Sequence, residues 1–529
     1  MRRLVASLLA LLTLAPTAAA GPVFFVKGRG WGHGIGMAQY GAYGYAREEG
    51  RSYAWILGHY YQGTTLGPTS VGAVRVLLAE GRQSLTVSSE AVFTAVDAGG
   101  REVKFAAGRR LELGPALRVT VAGHETRLAS PVRFRRGARV LELGGRPYRG
   151  QLVVRSSGAR LSAVNHLGLE EYLYGVVPDE MPPSWPMEAL KAQAVAARSY
   201  AVVSRRPSGV FDLFSDTRSQ VYGGVASEEA RTNAAIDATA GQVVLFGGRV
   251  AYTFFHSTSG GRTAAIADVW NAEPVPYLVS VADPYDRLSP YHRWGPLRYT
   301  GRQLARRLGS AAPPGRLRDA LVVRNASLRA DRVVFTGTRG SATMSGDGFR
   351  ARLGLRSSWI SIAVVTLAGT PKVQYGATAR LQGVARGSSP VSLAARAWGG
   401  EWRRARALRR TPGGAFRVGV APRITTWYRV SAPVGKGEPF RVAVAPRVRL
   451  FATDAQTLTG TVRPVRAGVR VSIERGTDAG WKRVARATTS ERGRFVATLA
   501  VRPGLYRAVA FAGPGYVPGR SPTLSVAPR

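Results

Sequence analysis

At 529 residues the chain exceeds a single domain, and at roughly 150 residues per unit it calls for three or four. Apolar residues are 45% and charged residues 20%, which builds real cores and excludes a disordered polymer. Lys+Arg 74 against Asp+Glu 32 gives +42, so the partner should be polyanionic, although only six of the cations are Lys and an Arg bias also follows from genome composition. The absence of Cys excludes disulfides, thiolate metal sites and cysteine nucleophiles.

The first twenty residues read as a signal peptide: Arg2 and Arg3, an apolar run from Leu4 to Leu14, then Ala18-Ala19-Ala20 as the cleavage site. An uncleaved anchor is the competing reading, but the apolar run is short for a core of about 30 Å. No later segment approaches a membrane-spanning length, so a secreted, periplasmic or envelope-associated protein is expected. Export removes nucleic acid as the partner and leaves an anionic envelope polymer.

Residues 21–67 are Gly- and aromatic-rich, with an amphipathic helix expected near 35–50. Residues 70–160 read as short strands split by turns such as Gly99-Gly100 and Gly144-Gly145. A mixed α/β stretch, 161–300, precedes a closing segment, 301–366, with a helix near 303–308 and a strand through Ile360-Ser361-Ile362. The tail repeats itself: Leu381-x-Gly383 returns as Leu458-x-Gly460, Trp402 as Trp481, Phe416 as Phe495 and Tyr428 as Tyr506. Each copy closes on Val-Ala-Pro-Arg, at Val444 to Arg447 and Val526 to Arg529. The expected class is therefore α+β: a domain over 21–366 with a mixed α/β catalytic core (161–300) and a β-rich subdomain (70–160), then two all-β sandwich-like modules at 367–447 and 448–529.

The chemistry concentrates around Glu180. It precedes a helix, Met187 to Ser204, for which Ser184 is the expected N-cap. Glu180 lies on a Pro-bracketed loop beside Met181 and Trp185, where desolvation would raise its pKa toward general-acid range. A solvated loop Glu, or one neutralised by Arg198, is the alternative. Gln220-Val221-Tyr222 forms a polar turn, and His256-Ser257-Thr258-Ser259 leaves a buried strand for a hydroxyl-rich loop. A Ser–His–Asp hydrolase built on Ser257 or Ser259 lacks a G-x-S-x-G elbow. Gly30-Trp31-Gly32-His33-Gly34 lacks the ending of a phosphate loop and suggests backbone pressed against another element, with His33 presented at a cleft. The histidine spacing matches no metal motif, so neither metal nor cofactor is expected.

Glu171-Tyr172-Leu173 through Glu180-Met181-Pro182, Glu188-Ala189-Leu190-Lys191-Ala192-Gln193-Ala194 through Arg198-Ser199-Tyr200, the Gln220 turn, the Ser257 loop and Pro276-Tyr277-Leu278 resemble the sporulation stage II protein D and amidase-enhancer family. The Trp31–His33 block resembles it too, but in that family the block lies at the C-terminal end. Here it opens the mature chain, so the domain is read as circularly permuted, and Phe24-Phe25-Val26 should pair beside Ser361-Ile362-Ala363. The resemblance implies a peptidoglycan lytic transglycosylase acting on glycan strands, with Glu180 as acid/base and Arg198 and Tyr277 as its companions. Arg198 would orient Glu180 or stabilise charge at the sugar. Trp31, His33, Gln220, Tyr222, His256, Ser257 and Ser259 would line the substrate. It equally allows a non-catalytic wall binder that enhances a cell-wall amidase.

Overall fold

The structure is a computed structural model that describes residues 18–527. The expected leader lies outside the described residues up to position 17, as do the last two residues of the second Val-Ala-Pro-Arg. Among the described residues no helix is long and apolar enough to cross a membrane. Helices and many strands mix throughout, in agreement with an α+β class.

The N-terminal strand β1 (Ala18–Gly28) is a central strand of a five-stranded sheet. It is followed by the two-residue β2 (Met37–Ala38), helices α1 (Gln39–Glu48) and α2 (Tyr53–Tyr60), and strands β3 (Thr65–Pro68) and β4 (Ala73–Arg82). The expected 35–50 helix thus begins four residues late, because Gly36 bends at positive φ and Met37-Ala38 pair with another strand. Strands β5 (Gln151–Ser157) and β6 (Arg160–Gly168) continue a seven-stranded sheet with β4.

Helices α3 (Leu169–Tyr174), α4 (Val177–Glu180), α5 (Met187–Val203) and α6 (Ala230–Asp237) come next, then β7 (Gln242–Phe246) and β8 (Phe255–His256). Helix α5 is capped by the extended backbone of Pro186, with no side-chain cap, so Ser184 does not have the role expected of it. It is buried nearly all round. Ala194, Ala197 and Ala201 face the core of the seven-stranded sheet, while Leu190, Ala192, Val195 and Ala196 face a second core with Met37, Tyr61 and Met181. Small side chains let two layers approach one helix, which is why its Ala-rich sequence shows no broad polar face.

Strand β9 (Trp294–Thr300) and strand β10 (Ile360–Gly369) flank β1 on either side. Phe25 pairs with Ala363, Val26 with Ile362 and Lys27 with Ser361, as the permuted reading expects. Alternation along these strands serves two cores at once. Phe24, Val26, Ile362 and Val364 face the closing segment, whereas Val23, Phe25, Ala363 and Val365 enter the core of the first β module. The boundary expected at 366/367 therefore falls inside β10, and the first module is completed by strands from outside it.

Strands β11 (Ala379–Arg386) and β12 (Ala415–Val420) finish that sheet. The tail repeat has a physical basis here. Gly383 pairs with Phe416 and Gly460 with Phe495. A Cβ on either glycine would come within 2.2 Å of a neighbouring carbonyl oxygen, that of Thr366 or of Arg449, and against the paired Phe ring. Tyr428 and Tyr506 are buried at matching inward positions.

Candidate active site around Glu180

Pro178 opens the single turn of α4, and Pro182 holds Met181 extended, which ends the helix at Glu180. Met181 drops into the core, so the backbone either side of Glu180 is fixed. The carboxyl is partly buried and takes a hydrogen bond from the Gln39 amide, Nε2 to Oε2 3.3 Å. Burial pushes its pKa up to about 7, against the opposing pull of Gln39 and with a smaller push from Asp179. Asp179 itself is exposed and accepts a hydrogen bond from Ser227 at 2.9 Å.

Glu180 differs from several of the acids around it. Glu170, Glu188, Asp212, Asp216 and Glu228 are each paired with a cation. Glu180 is held by an amide alone, which positions a carboxyl without forcing it to ionise. Aromatic rings follow from the flanking chain: Trp185 lies 4.9 Å from Tyr40 and 4.8 Å from Tyr43, ring centre to ring centre.

Gln39 reaches this site because the glycine-rich block lies flat on the 254–260 segment. Strand β2 pairs in parallel with β8, Met37 with Phe255 and Ala38 with His256. At Gly36 a Cβ would sit 2.0 Å from the Phe254 carbonyl oxygen, and at Gly34 2.6 Å from the Arg329 guanidinium, so only glycine permits the approach.

Residues 157–246, which contain Glu180 and Arg198, match the family model of the stage II sporulation protein, SpoIID. Residues 157–246 are a SpoIID domain by this match. The chain is 31% identical over 215 residues to stage II sporulation protein D of Bacillus subtilis, covering 37% of this chain and 60% of that one. It is 43% identical over 114 residues to the amidase enhancer of the same organism, covering 22% and 15%. An uncharacterised protein of Brachyspira hyodysenteriae is 40% identical over 142 residues, covering 26% and 38%. The chain therefore spans less than two thirds of each of these relatives.

Within the SpoIID domain, Arg198 is fully buried and does not pair with Glu180. Its guanidinium forms a fork with Glu170, Nη2 to Oε2 2.6 Å and Nε to Oε1 3.0 Å, and donates to the carbonyls of Gln242 and Ile236. It ties α3, α5, α6 and β7 together, which corrects the expectation that it orients Glu180. Tyr277 is 9% exposed, and its hydroxyl accepts from the Tyr252 N–H at 3.1 Å, leaving its own proton available.

The other expected site residues divide sharply. Trp31 is 41% exposed and packs edge-on to Tyr291 at 4.5 Å, with the Arg356 guanidinium over both rings. His33 is half-buried: its Nδ1 accepts from Ile35 N–H, and desolvation drives its pKa down to about 4. His256 is buried 5.4 Å from it, with Nδ1 against the Ile35 carbonyl. Gln220 accepts from the Tyr172 hydroxyl and Tyr222 donates to Asn165, both inside the core. Ser257 bonds Thr258, while Ser259 is fully buried and donates to Asp283 at 2.7 Å, not to a histidine. These are framework contacts, so Gln220, Tyr222, His256 and Ser259 shape the site without offering a face to a ligand. Gln39 and Tyr40 were not singled out, since nothing local marks a helix-start Gln as the partner of an acid far along the chain.

Proposed function

We propose that the protein is an exported peptidoglycan lytic transglycosylase in which Glu180 serves as both acid and base. The supporting observation is a carboxyl with a pKa of about 7, held by Gln39 and free of any cation. Such a group carries a proton near neutrality and can take one back. The protonated Glu180 delivers its proton to the glycosidic oxygen that leaves C1 of N-acetylmuramic acid. The resulting carboxylate removes the proton from that sugar's C6 hydroxyl, and O6 bonds to C1. One C–O bond breaks and one forms, no water is consumed, and Glu180 ends protonated. A hydrolase would need a second carboxylate as nucleophile or water activator, and the neighbouring Asp179 is exposed and engaged by Ser227.

Tyr40, Tyr43 and Trp185, together with Trp31 and Tyr291, offer flat apolar faces for sugar rings. Tyr277 keeps a hydroxyl proton for the leaving oxygen, and Arg198 acts as a positioning residue through the helices it joins. The two β modules and the cationic surface would hold the enzyme on an anionic wall. A second reading, an enhancer of a cell-wall amidase, is favoured by the identity with the amidase enhancer.

Digestion of purified, peptide-stripped glycan strands, read by mass spectrometry, separates the readings. Anhydro-ended fragments from wild type and none from Glu180→Gln support the transglycosylase. Reducing ends would mean hydrolysis, and stimulation of an added amidase without cleavage would mean the enhancer.

A further inference from the structure

A cavity of about 650 Å³ opens where Lys27 to Arg29 leave β1 and meet the start of β10. Its walls carry Lys27, Arg29, Arg293 and Arg324 together with the indoles of Trp294 and Trp359, and no acid lines it. Lys27, Arg29 and Arg293 belong to none of the ion pairs among the described residues. Arg324 is fixed by the carbonyls of Leu328 and Ile360, both at 2.7 Å. Burial and the facing charge of Arg29 pull its pKa below the usual guanidinium range. Four like charges share one concave space, and an anion would relieve their repulsion.

The indoles are built in. A Cβ on Gly28 would stand 2.2 Å from the Trp294 ring, so the ring lies directly on bare backbone, and its Nε1 donates to the Gly30 carbonyl at 2.9 Å. The Arg29 guanidinium stands 5.4 Å from the Trp359 ring centre. A bare anion would leave the open Trp294 face unused, and a neutral sugar would leave the cations unanswered. A nucleic-acid strand is bound by grooves that follow its backbone for several nucleotides, whereas this space is bounded and of small-ligand size.

We infer that the cavity between β1, β9 and β10 binds an anionic saccharide, its carboxylate or phosphate groups met by Lys27, Arg29, Arg293 and Arg324 and its ring faces by Trp294 and Trp359. It shares no lining residue with the Glu180 site and stands whether or not the protein cleaves glycan. It forms where β1 and β10 pair.

Isothermal titration calorimetry on the full chain tests it. The probes are trigalacturonate for carboxylate, glucose 6-phosphate for phosphate, neutral chitotriose, inorganic phosphate and oligothymidylate. One of the two charged saccharides is expected to bind at least about tenfold tighter than the other three probes, with a loss of about tenfold or more in Lys27→Gln/Arg293→Gln. Both substituted side chains are exposed, and Arg29→Gln provides a second variant. Glu180→Gln should bind as wild type does. Equal binding of chitotriose, phosphate or oligothymidylate, no binding of either charged saccharide, or undiminished binding by the variants overturns the site. So does loss of binding in Glu180→Gln, which would place the saccharide in the other cleft.

Discussion

The Gln39 amide and the Glu180 carboxylate, 141 positions apart in the chain, meet at 3.3 Å. The bond favours the ionised acid, so its removal should raise the Glu180 pKa further. Gln39→Leu is expected to move the alkaline limb of kcat/KM upward from about 7, which a pH–rate profile on stripped glycan would show.

Glu180→Gln should lower cleavage by about 10²–10⁴-fold, the usual worth of a positioned acid/base. It should also change stability. The folded carboxyl titrates near 7 and the unfolded one near 4.5, so the native state holds the extra proton between them and loses stability as pH rises through that window. The variant is therefore expected to exceed wild type by on the order of 1–3 kcal/mol above about pH 8, and to match it below about pH 4. Urea unfolding at the two pH values checks this.

Arg198→Ala takes the cation from Glu170 and one donor each from the carbonyls of Gln242 and Ile236. A loss of about 3–5 kcal/mol is expected in denaturant unfolding. Because Arg198 does not touch Glu180, the molecules that stay folded should keep the wild-type pH–rate profile.

His33 titrates near 4 in the fold and 6.5 when unfolded. The unfolded chain then binds the extra proton, so stability is lost as pH falls from 6.5 toward 4. His33→Asn, whose amide oxygen can still accept from Ile35, should flatten the dependence of unfolding free energy on pH in that interval by up to about 1.4 kcal/mol per pH unit.

Phe25→Ala removes a ring from the core of the first β module at a strand shared with the closing segment. A cost of about 3–5 kcal/mol is expected. Calorimetry should show the closing segment and the first module melting earlier together, since β1 and β10 belong to both.

Much of this was legible beforehand. The proline bracket and apolar neighbours of Glu180 are local features, and local features predict a fixed, desolvated carboxyl. The displaced order of the motifs was legible, and it led to the expectation that Phe25 pairs near Ala363, which it does. The tail repeat was legible because the same Gly–Phe pairing recurs in both copies. The partner of Arg198 was not, because Glu170 and Glu180 are equally plausible in one dimension. Nor was the packing of His33, whose ring meets Phe254 and His256 only because the 254–260 segment lies over it.

Chain chemistry alone determined that an acid at 180 would sit in stiff, apolar surroundings, and that the block from Trp31 to Gly34 must lie close against other backbone. Both follow from proline and glycine, whose constraints act on adjacent residues. Tertiary structure alone decided which groups face that acid, which cations are consumed by carboxylates, and which are left around an open cavity. Those outcomes depend on strands and helices distant in sequence arriving at one place, and charge pairing is settled only by the distances that result.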